Sequence, residues 1–255
     1  MPAIKNPFKS ALARGDMQYG CWSGFADPFA IEVLGTAGFD WIVIDGEHAA
    51  NDVRSIMAQL QALQGSASHP VVRVPVGEDW VIKQALDVGA QTVLVPMVES
   101  AQQAAQLTRA MRYPPEGIRG VGASMARASR FGAITDYVQT ANQEICLLVQ
   151  VESQKGVDAL EDILNIDGID GVFIGPADLA ADLGHPGNAA HEDVRSVIKH
   201  CLERIAASDK AAGILSPVDE VAAEYRDWGA QFLAVGLDVN MFAQAARAKA
   251  AKWKS

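Results

Sequence analysis

Four apolar runs of this 255-residue sequence end in side chains that can act as acids, bases or ligands. The residues in question are Asp45 with Glu47 and His48, Arg73, Gln150 with Glu152, and Gly175–Asp178. Charged side chains are rarely buried without partners. If these segments meet at one edge of a sheet, the sequence predicts that their charges pair with one another or hold a metal.

The best candidates for metal ligands are Glu152 and Asp178. Two carboxylates at neighbouring strand ends can share a divalent cation, and ligation by oxygen alone suits Mg²⁺ or Mn²⁺. The alternative is that these acids cap helices or pair with Arg73. The spacing alone does not decide between the two interpretations.

His48 is the one histidine of five that follows a predicted strand in such a polar segment. Its ring could serve as a general base, and Asp45 could hold that ring in one tautomer. Gly175–Asp178 is typical of the first turn of a helix, where free backbone N–H groups can bind a carboxylate or a phosphate. An ordinary turn between a strand and a helix would explain the same residues.

The elements that position these residues follow from eight short apolar runs, which alternate with segments of helical period. The runs are Tyr19–Ser23, Phe39–Ile44, Val71–Pro75, Thr92–Pro96, Ile145–Val151, Gly171–Ile174, Ala212–Leu215 and Phe232–Val235. The alternation predicts a single (β/α)₈ barrel over residues 1–255, with additional helices at both termini. An open doubly wound sheet would require a glycine-rich turn after the first strand, and residues 21–25 do not form one.

Six helices are predicted between the strands, and several carry end signals. They are Asp52–Leu63, Trp80–Val88, Ala101–Met111, Gly156–Asn165, Glu192–Ala207 and Val218–Trp228. Asn51, Ser100 and Ser216–Pro217 are expected at helix starts. Left-handed residues that end helices are expected at Gly38, Gly89, Gly168 and Gly229. In such a barrel, catalytic groups lie at the carboxyl ends of the strands, where the polar residues fall.

Composition and charge exclude several classes of protein. The formal net charge of −10 disfavours binding to nucleic acid or to an anionic membrane surface. No run approaches about 18 apolar residues, and the first ten residues lack a signal-peptide pattern, so a cytoplasmic protein is expected. Cys21, Cys146 and Cys201 are widely spaced, which predicts buried reduced thiols rather than disulfides.

Five segments together resemble the HpcH/HpaI aldolase family, in order and from about residue 6 to 242. They are Phe39–His48, Val72–Pro75, Gly117–Gly122, Val149–Glu152 and Ile174–Ala180. The resemblance implies a class II aldolase (an aldehyde-lyase) that reversibly cleaves 4-hydroxy-2-oxo acids to pyruvate and an aldehyde, in the catabolism of aromatic or sugar acids. It further implies a divalent cation (Mg²⁺, Mn²⁺ or Co²⁺) and a homo-hexamer. The C-terminal helix, about residues 239–252, would lie in an oligomer contact.

The same resemblance implies roles for individual residues. The matching positions assign Glu152 and Asp178 to the metal, His48 to the general base, and Arg73 to the enolate and the substrate. They assign Gln150, Gly175, Asp178 and the Ala177 amide to substrate binding, and Asp87 with Asp45 to support of the histidine's basicity.

Three other interpretations remain open at this point. A Schiff-base lysine is disfavoured because every lysine falls outside the predicted strands. A related acyl-CoA lyase would need a basic nucleotide-binding surface, and the one basic cluster is Arg119–Arg130. This cluster lies in the segment 114–132, which is expected to be a substrate-closing lid or an oligomer contact. A non-catalytic protein that binds 2-oxo acids is the alternative outside the enzymes.

Overall fold

Eight parallel strands close into a barrel in sequence order in the computed structural model, which describes residues 1–254. The strands are β1 (Gln18–Ser23), β2 (Trp41–Asp45), β3 (His69–Arg73), β4 (Thr92–Val95), β5 (Cys146–Val151), β6 (Gly171–Ile174), β7 (Ala211–Leu215) and β8 (Phe232–Leu237). Every apolar run predicted to be a strand is one, with ends that differ by at most two residues. The predicted α/β barrel is therefore confirmed, and the doubly wound alternative is wrong.

Twelve α-helices surround the barrel within the described residues. They are α1 (Pro7–Arg14), α2 (Pro28–Leu34), α3 (Val53–Ala62), α4 (Asp79–Asp87), α5 (Ala101–Met111), α6 (Tyr137–Glu144), α7 (Gln154–Asp158), α8 (Leu160–Leu164), α9 (Pro176–Asp182), α10 (Glu192–Ala206), α11 (Asp219–Asp227) and α12 (Asp238–Lys254). The helix predicted over 156–165 is two short helices instead, because Ala159 ends one and begins the next. No helix of residues 1–254 is long and apolar enough to cross a membrane.

Successive strand residues alternate between two hydrophobic clusters, as the pleat of a strand requires. Trp41 and Val43 point into the barrel, whereas Ile42 and Ile44 pack outward against the helices. The inward set continues with Val71 on β3, Cys146 and Leu148 on β5, and Phe173 on β6. Extending this period of two toward the carboxyl ends places the polar residues inside the barrel mouth.

Helix α1 closes the opposite, amino-terminal end of the barrel with Phe8. The Phe8 ring lies 5.8 Å from the Trp41 ring and 6.0 Å from the Phe232 ring, and it stacks on His69 at 5.7 Å. These three partners are the first residues of β2, β8 and β3. The barrel is therefore a packed core below the site and not a channel.

Helix ends follow the predicted signals at most positions. The four predicted glycines all have left-handed φ angles, between +91° and +114°. Ser100 caps α5 through the Gln103 amide, as predicted. The predictions at Asn51 and Ser216–Pro217 are wrong. Asp52 caps α3, while the Asn51 side chain donates to the Asp45 carbonyl, and Val218 precedes α11 without a side-chain cap.

The segment 114–132 lies at the amino-terminal end of the barrel, so it does not cover the mouth of its own chain. It follows α5, which runs away from the barrel mouth, and it precedes β5. Within it, the buried Arg119 pairs with Asp87 at 2.7 Å and lies over the Tyr113 ring at 4.3 Å. Arg127 donates to the carbonyl of Val88, which follows α4. Both arginines therefore bind groups at the amino-terminal end of the barrel, far from the polar carboxyl ends of the strands.

The buried titratable groups outside the mouth have structural roles. The three cysteines are buried and free, as predicted. His69, expected before strand three as a surface or satisfied structural histidine, is the latter, but it lies within β3, where its Nε2 is 2.8 Å from the Thr92 hydroxyl. Burial lowers the pKa of His69 to about 4, so this ring is neutral at physiological pH.

Removing the Phe8 ring should destabilise the barrel without touching its mouth. We expect Phe8→Ala to lower the free energy of unfolding by about 3–5 kcal/mol, because it leaves a cavity among three aromatic partners. Urea denaturation measures the change. The matched control is Phe29→Ala on α2, where the ring is 75% exposed and the expected loss is small. Equal losses in the two variants would contradict this role of α1.

Candidate active site

The site is built around an ion pair between two directly paired strand residues. Asp45 and Arg73 are register partners in β2 and β3. The Arg73 Nε lies 2.9 Å from Oδ1 of Asp45, and its Nη2 lies 2.6 Å from Oδ2. Both side chains are buried. This two-pronged geometry fixes the plane of the guanidinium group as well as its position.

Two further contacts complete the surroundings of Arg73. Its Nη1 lies 2.7 Å from Oε2 of Glu47, and its guanidinium carbon lies 4.9 Å from the centre of the Trp22 ring. The Trp22 Nε1 donates to Oδ2 of Asp45 at 3.2 Å. Arg73 is therefore held on both carboxylates and against an aromatic face.

The pKa values of the two carboxyl groups beside Arg73 are shifted in opposite directions. Burial raises the pKa of Asp45, but the hydrogen bonds and charge of Arg73 outweigh it and hold the pKa below the usual value of 3.8. Burial raises the pKa of Glu47 and wins over the charges of Arg73 and His48, while Asp45 and Asp178 raise it further. Asp45 is thus a fixed anion at neutral pH, whereas Glu47 takes up a proton more readily.

Glu152 lies at the end of β5, where three neighbours define its position. Its Oε1 accepts from the Met97 amide at 2.9 Å, and its Oε2 accepts from the Gln150 side chain. Met97 has a left-handed φ of +53°, an unusual conformation for this residue type. A Cβ atom on Gly175 would collide with Glu152 Oε2, so only glycine fits there. The chain thus holds this carboxylate in place at the cost of an unfavourable backbone conformation.

Asp178 and Ala177 are exposed in the first turn of α9, which starts at the carboxyl end of β6. Gly175 precedes this helix and provides no side-chain cap. The amides of Ala177 and Asp178 therefore receive no cap from it and can donate to a ligand. This placement matches the predicted positions of both residues at the rim.

His48 is placed at the rim, but not with the partners that the sequence indicated. Its side chain is 65% exposed, and the nearest carboxylate oxygen is Oε2 of Glu47, 4.0 Å from Nε2. Asp45 accepts from the backbone amides of Glu47 and His48 and does not contact the ring. The expectation that Asp45 orients the imidazole is wrong, because Arg73 occupies its carboxylate.

Asp87 is not part of this site within one chain. It is the last residue of α4, a helix that leaves the barrel mouth and ends at the amino-terminal side of the strands. There its carboxylate binds Arg119. The expected support of His48 by Asp87 therefore fails for the single chain on grounds of topology.

The sequence interpretation gave no role to Glu47 or Trp22. The signal for Glu47 was present, since it lies two residues after Asp45 and continues the inward set of β2. Trp22 could not be assigned, because an apolar strand residue gives no indication that its Nε1 binds a carboxylate.

The charges of the rim suit a divalent cation. Asp45 and Glu47 pair with Arg73, and Glu47 also interacts electrostatically with Glu152 and Asp178, so four carboxylates share one guanidinium. Burial raises the pKa of Glu152, and the charges of Asp178 and Glu47 raise it further, against the hydrogen bonds from Gln150 and Met97. The buried Oε1 of Gln150 has no partner. Oxygen ligands with excess negative charge fit a hard cation at Glu152 and Asp178.

The chain is similar to known proteins over nearly its whole length. The sequence profile of the HpcH/HpaI aldolase/citrate lyase family matches residues 18–245. The chain is 64% identical over 255 residues to the hydroxypyruvate/pyruvate aldolase of Roseovarius nubinhibens, covering 100% of this chain and 99% of that protein. It is 51% identical over 249 residues to the 5-keto-4-deoxy-D-glucarate aldolase of Escherichia coli, covering 98% and 97%.

A solved structure is also similar over the whole barrel. It is an HpcH/HpaI aldolase/citrate lyase family protein from Burkholderia cenocepacia, with a TM-score of 0.95 and 40% identity. The match covers 98% of this chain and 100% of that one.

Replacing Asp45 should reveal its ion pair through the pH dependence of stability. The pKa of Asp45 is lowered in the folded state, so its stabilisation is complete above the unfolded value of 3.8 and is lost as the pH falls through the folded value. We expect Asp45→Asn to lower the free energy of unfolding by about 3 kcal/mol, unchanged down to about pH 5. Denaturant titrations across pH measure this difference.

Glu47→Gln is the control, because the expected change in the free energy of unfolding has the opposite sign. The raised pKa of Glu47 means that its ionised form costs stability, a cost that disappears as the pH falls. The variant should therefore gain stability at neutral pH, and the gain should vanish in acid. A loss with Glu47→Gln equal to that of Asp45→Asn would contradict the assigned directions.

Proposed function

The chain belongs to the HpcH/HpaI aldolase/citrate lyase family, and we propose that its barrel mouth reversibly cleaves 4-hydroxy-2-oxo acids to pyruvate and an aldehyde. It is a class II aldolase, a carbon–carbon lyase. The observation that carries the proposal is the fixed guanidinium of Arg73 at the same barrel mouth as the interacting carboxylates of Glu152 and Asp178. Cleavage of the C3–C4 bond leaves electrons at C3, and they must be delocalised onto the oxygen at C2.

Two groups of the chain would stabilise the charge on that oxygen. Glu152 and Asp178 would hold a divalent cation (Mg²⁺, Mn²⁺ or Co²⁺), which when bound supplies a Lewis acid for the 2-oxo group. Arg73 has five N–H donors, of which two bind Asp45, while its Nη1 forms an ion pair with Glu47. Donors that Asp45 does not take can donate to the enolate oxygen, and the fixed guanidinium needs no reorganisation as the charge develops.

His48 is the group we assign to proton transfer. It would accept the proton of the C4 hydroxyl, directly or through water, and would return it in the synthetic direction. Its exposed ring suits a base that must meet aldehydes of different sizes.

The substrate's carboxylate would bind at the start of α9. The free amides of Ala177 and Asp178 are the donors there, directly after Gly175, which provides no side-chain cap for them. Gln150 would orient the 2-oxo acid through its side-chain amide, whose unpaired Oε1 can accept from a hydroxyl group. Relatives named for hydroxypyruvate and pyruvate suggest a three-carbon 2-oxo acid as the donor substrate.

The competing mechanisms lack support at the rim. No lysine lies within the eight described strands, which disfavours an imine mechanism. Arg119 and Arg127, the core of the one basic cluster, are bound at the other end of the barrel. They therefore offer no nucleotide site for an acyl-CoA lyase.

We further propose that the protein is a homo-hexamer in which α12 contacts a neighbouring copy, with α1 and α12 as terminal additions to the barrel. Phe242 and Trp253 on α12 are 65% and 78% exposed. Phe242 packs edge-on against the partly exposed Phe25 ring at 5.7 Å. Exposed aromatic rings of this kind are enriched at contacts between proteins.

Metal removal tests the proposed chemistry without requiring the aldehyde to be known. After EDTA treatment, the protein should lose exchange of the pyruvate methyl protons with D₂O, because that exchange passes through the enolate. Mg²⁺, Mn²⁺ or Co²⁺ should restore it, and Asp178→Asn should block the rescue. Proton NMR follows the exchange. Full exchange in protein shown to be metal-free, or a pyruvate adduct trapped by borohydride, would rule out the class II mechanism.

Arg73→Lys should separate catalysis from folding. Lysine keeps a charge for Asp45 but not the planar fork, so kcat should fall by about 10²–10³-fold with a smaller change in KM. Both aldol cleavage and methyl-proton exchange should be impaired, because the enolate is common to them.

The matched control is Trp22→Phe, which keeps the aromatic face over Arg73 and loses only the hydrogen bond to Asp45. Its kcat should remain much closer to that of the unchanged protein. Normal exchange in Arg73→Lys, together with a lowered melting temperature, would reduce Arg73 to a structural residue.

A further inference from the structure

The turn Met97–Glu99, between β4 and α5, reaches across to the end of β5, where Glu152 lies. The Met97 amide donates to Oε1 of Glu152 at 2.9 Å. The next amide, that of Val98, donates to the Gln150 carbonyl at 2.9 Å. The orientation of the Glu152 carboxylate therefore depends on where this turn holds the Met97 amide.

Further contacts hold the rest of the turn against the chain that follows β5. The Ser153 hydroxyl donates to Oε1 of Glu99 at 2.8 Å, and Nζ of Lys155 lies 3.0 Å from Oε2 of the same carboxylate. At Gly156, a Cβ atom would lie 2.9 Å from the Val98 carbonyl oxygen, so the absence of a side chain allows the close approach. These contacts fix Val98 and Glu99, but they do not reach the carbonyl group of the residue before them.

Met97 itself has a backbone conformation that needs an external cause. Its φ of +53° is uncommon for any residue other than glycine. Such a conformation persists only where the surrounding structure determines it. The Met97 side chain is 46% exposed, so its packing contributes little to that. The cause must therefore lie in contacts of the backbone.

One side chain of α5 supplies these contacts. Gln103, in the first turn of the helix, donates from Nε2 to the Met97 carbonyl at 3.1 Å. Its Oε1 accepts from the Glu99 amide at 2.9 Å. Its own backbone amide donates to the Ser100 cap at 3.2 Å, which ties it to the start of α5. A single planar amide thus binds both ends of the turn and sets the direction of its first peptide group.

We propose that Gln103 is a positioning residue for the metal site. By holding Met97 in its left-handed conformation, Gln103 aims the Met97 amide at Glu152 and so fixes the carboxylate that would bind the cation. The inference rests on the proposed function, because it takes Glu152 as a metal ligand. Groups that orient a ligand without touching the metal typically change metal affinity by about 10–100-fold.

Titration with Mn²⁺ tests this role without any substrate. Protein stripped with EDTA is titrated, and electron paramagnetic resonance measures the free Mn²⁺. Gln103→Leu keeps a side chain of similar length and removes both hydrogen bonds to the turn. The matched control is Gln106→Leu, a glutamine three residues further along α5, whose Nε2 binds the Asp79 carboxylate instead of the turn.

We expect Gln103→Leu to weaken Mn²⁺ binding by about 10–100-fold, whereas Gln106→Leu should bind as the unchanged protein does. Adding Met97→Gly to Gln103→Leu should recover part of the affinity, because glycine adopts a left-handed φ without a steric penalty. A role of Gln103 confined to the stability of α5 would give no such recovery. Melting temperatures measured alongside show that the variants are folded.

Gln103→Glu keeps the shape of the side chain and the acceptor for the Glu99 amide, but it loses the donor to the Met97 carbonyl. Its added negative charge would by itself attract the cation. We therefore expect weaker Mn²⁺ binding in spite of the charge, and this weakening can arise only from the lost hydrogen bond.

Asp178→Asn, which removes the other assigned ligand, separates the two hypotheses. If Asp178→Asn weakens Mn²⁺ binding while Gln103→Leu and Gln103→Glu leave it intact, the positioning role is wrong and the metal site stands. If the unchanged protein binds no Mn²⁺, or Asp178→Asn binds it equally well, the proposed metal site is wrong and the role of Gln103 fails with it.

Discussion

Arg73 carries the positive charge on which the geometry of the barrel mouth depends. Burying a guanidinium is costly unless it is paired, and here Asp45 binds two of its donors, Glu47 adds an ion pair and Trp22 covers one face. The ion pairs stabilise the carboxylates as well as the guanidinium, because Asp45 and Glu47 would be unpaired without Arg73. The interaction that stabilises the strand ends is thus the same one that fixes the guanidinium to which we assign a role toward the substrate.

Much of this site follows from the period of two along each strand. Once Trp41 and Val43 point inward, Asp45 must follow them, and the same holds for Arg73 on β3 and for Gln150 on β5. The sequence therefore predicts the barrel, its strands and the inward polar residues. The ends of helices α3 and α11 were predicted less well, because several polar residues compete there for the same free amides.

Predictions from the sequence failed where they required knowing at which end of the barrel a loop or a helix end lies. Asp87 and segment 114–132 both follow helices that lead away from the mouth, so neither can reach His48 or cover the rim within one chain. The periodicity of a helix gives its buried face but not a residue's distance from a site on another element. The partner of His48 was missed for a related reason. Asp45 is close in sequence, but Arg73 competes for its carboxylate, which leaves Glu47 nearest to the ring.

The two ends of the barrel thus have different physical tasks. At the amino-terminal end, Phe8 and the aromatic residues that it contacts fill the interior, and the neutral His69 is accommodated by burial and one hydrogen bond. At the carboxyl end, like charges are brought together, the chain accepts a left-handed Met97, and Gln150 keeps an unpaired acceptor. Such features reduce the stability of an isolated chain, and the proposed cation and anionic substrate would offset that loss on binding. The stability of the packed end is what allows the charged end to remain organised for them.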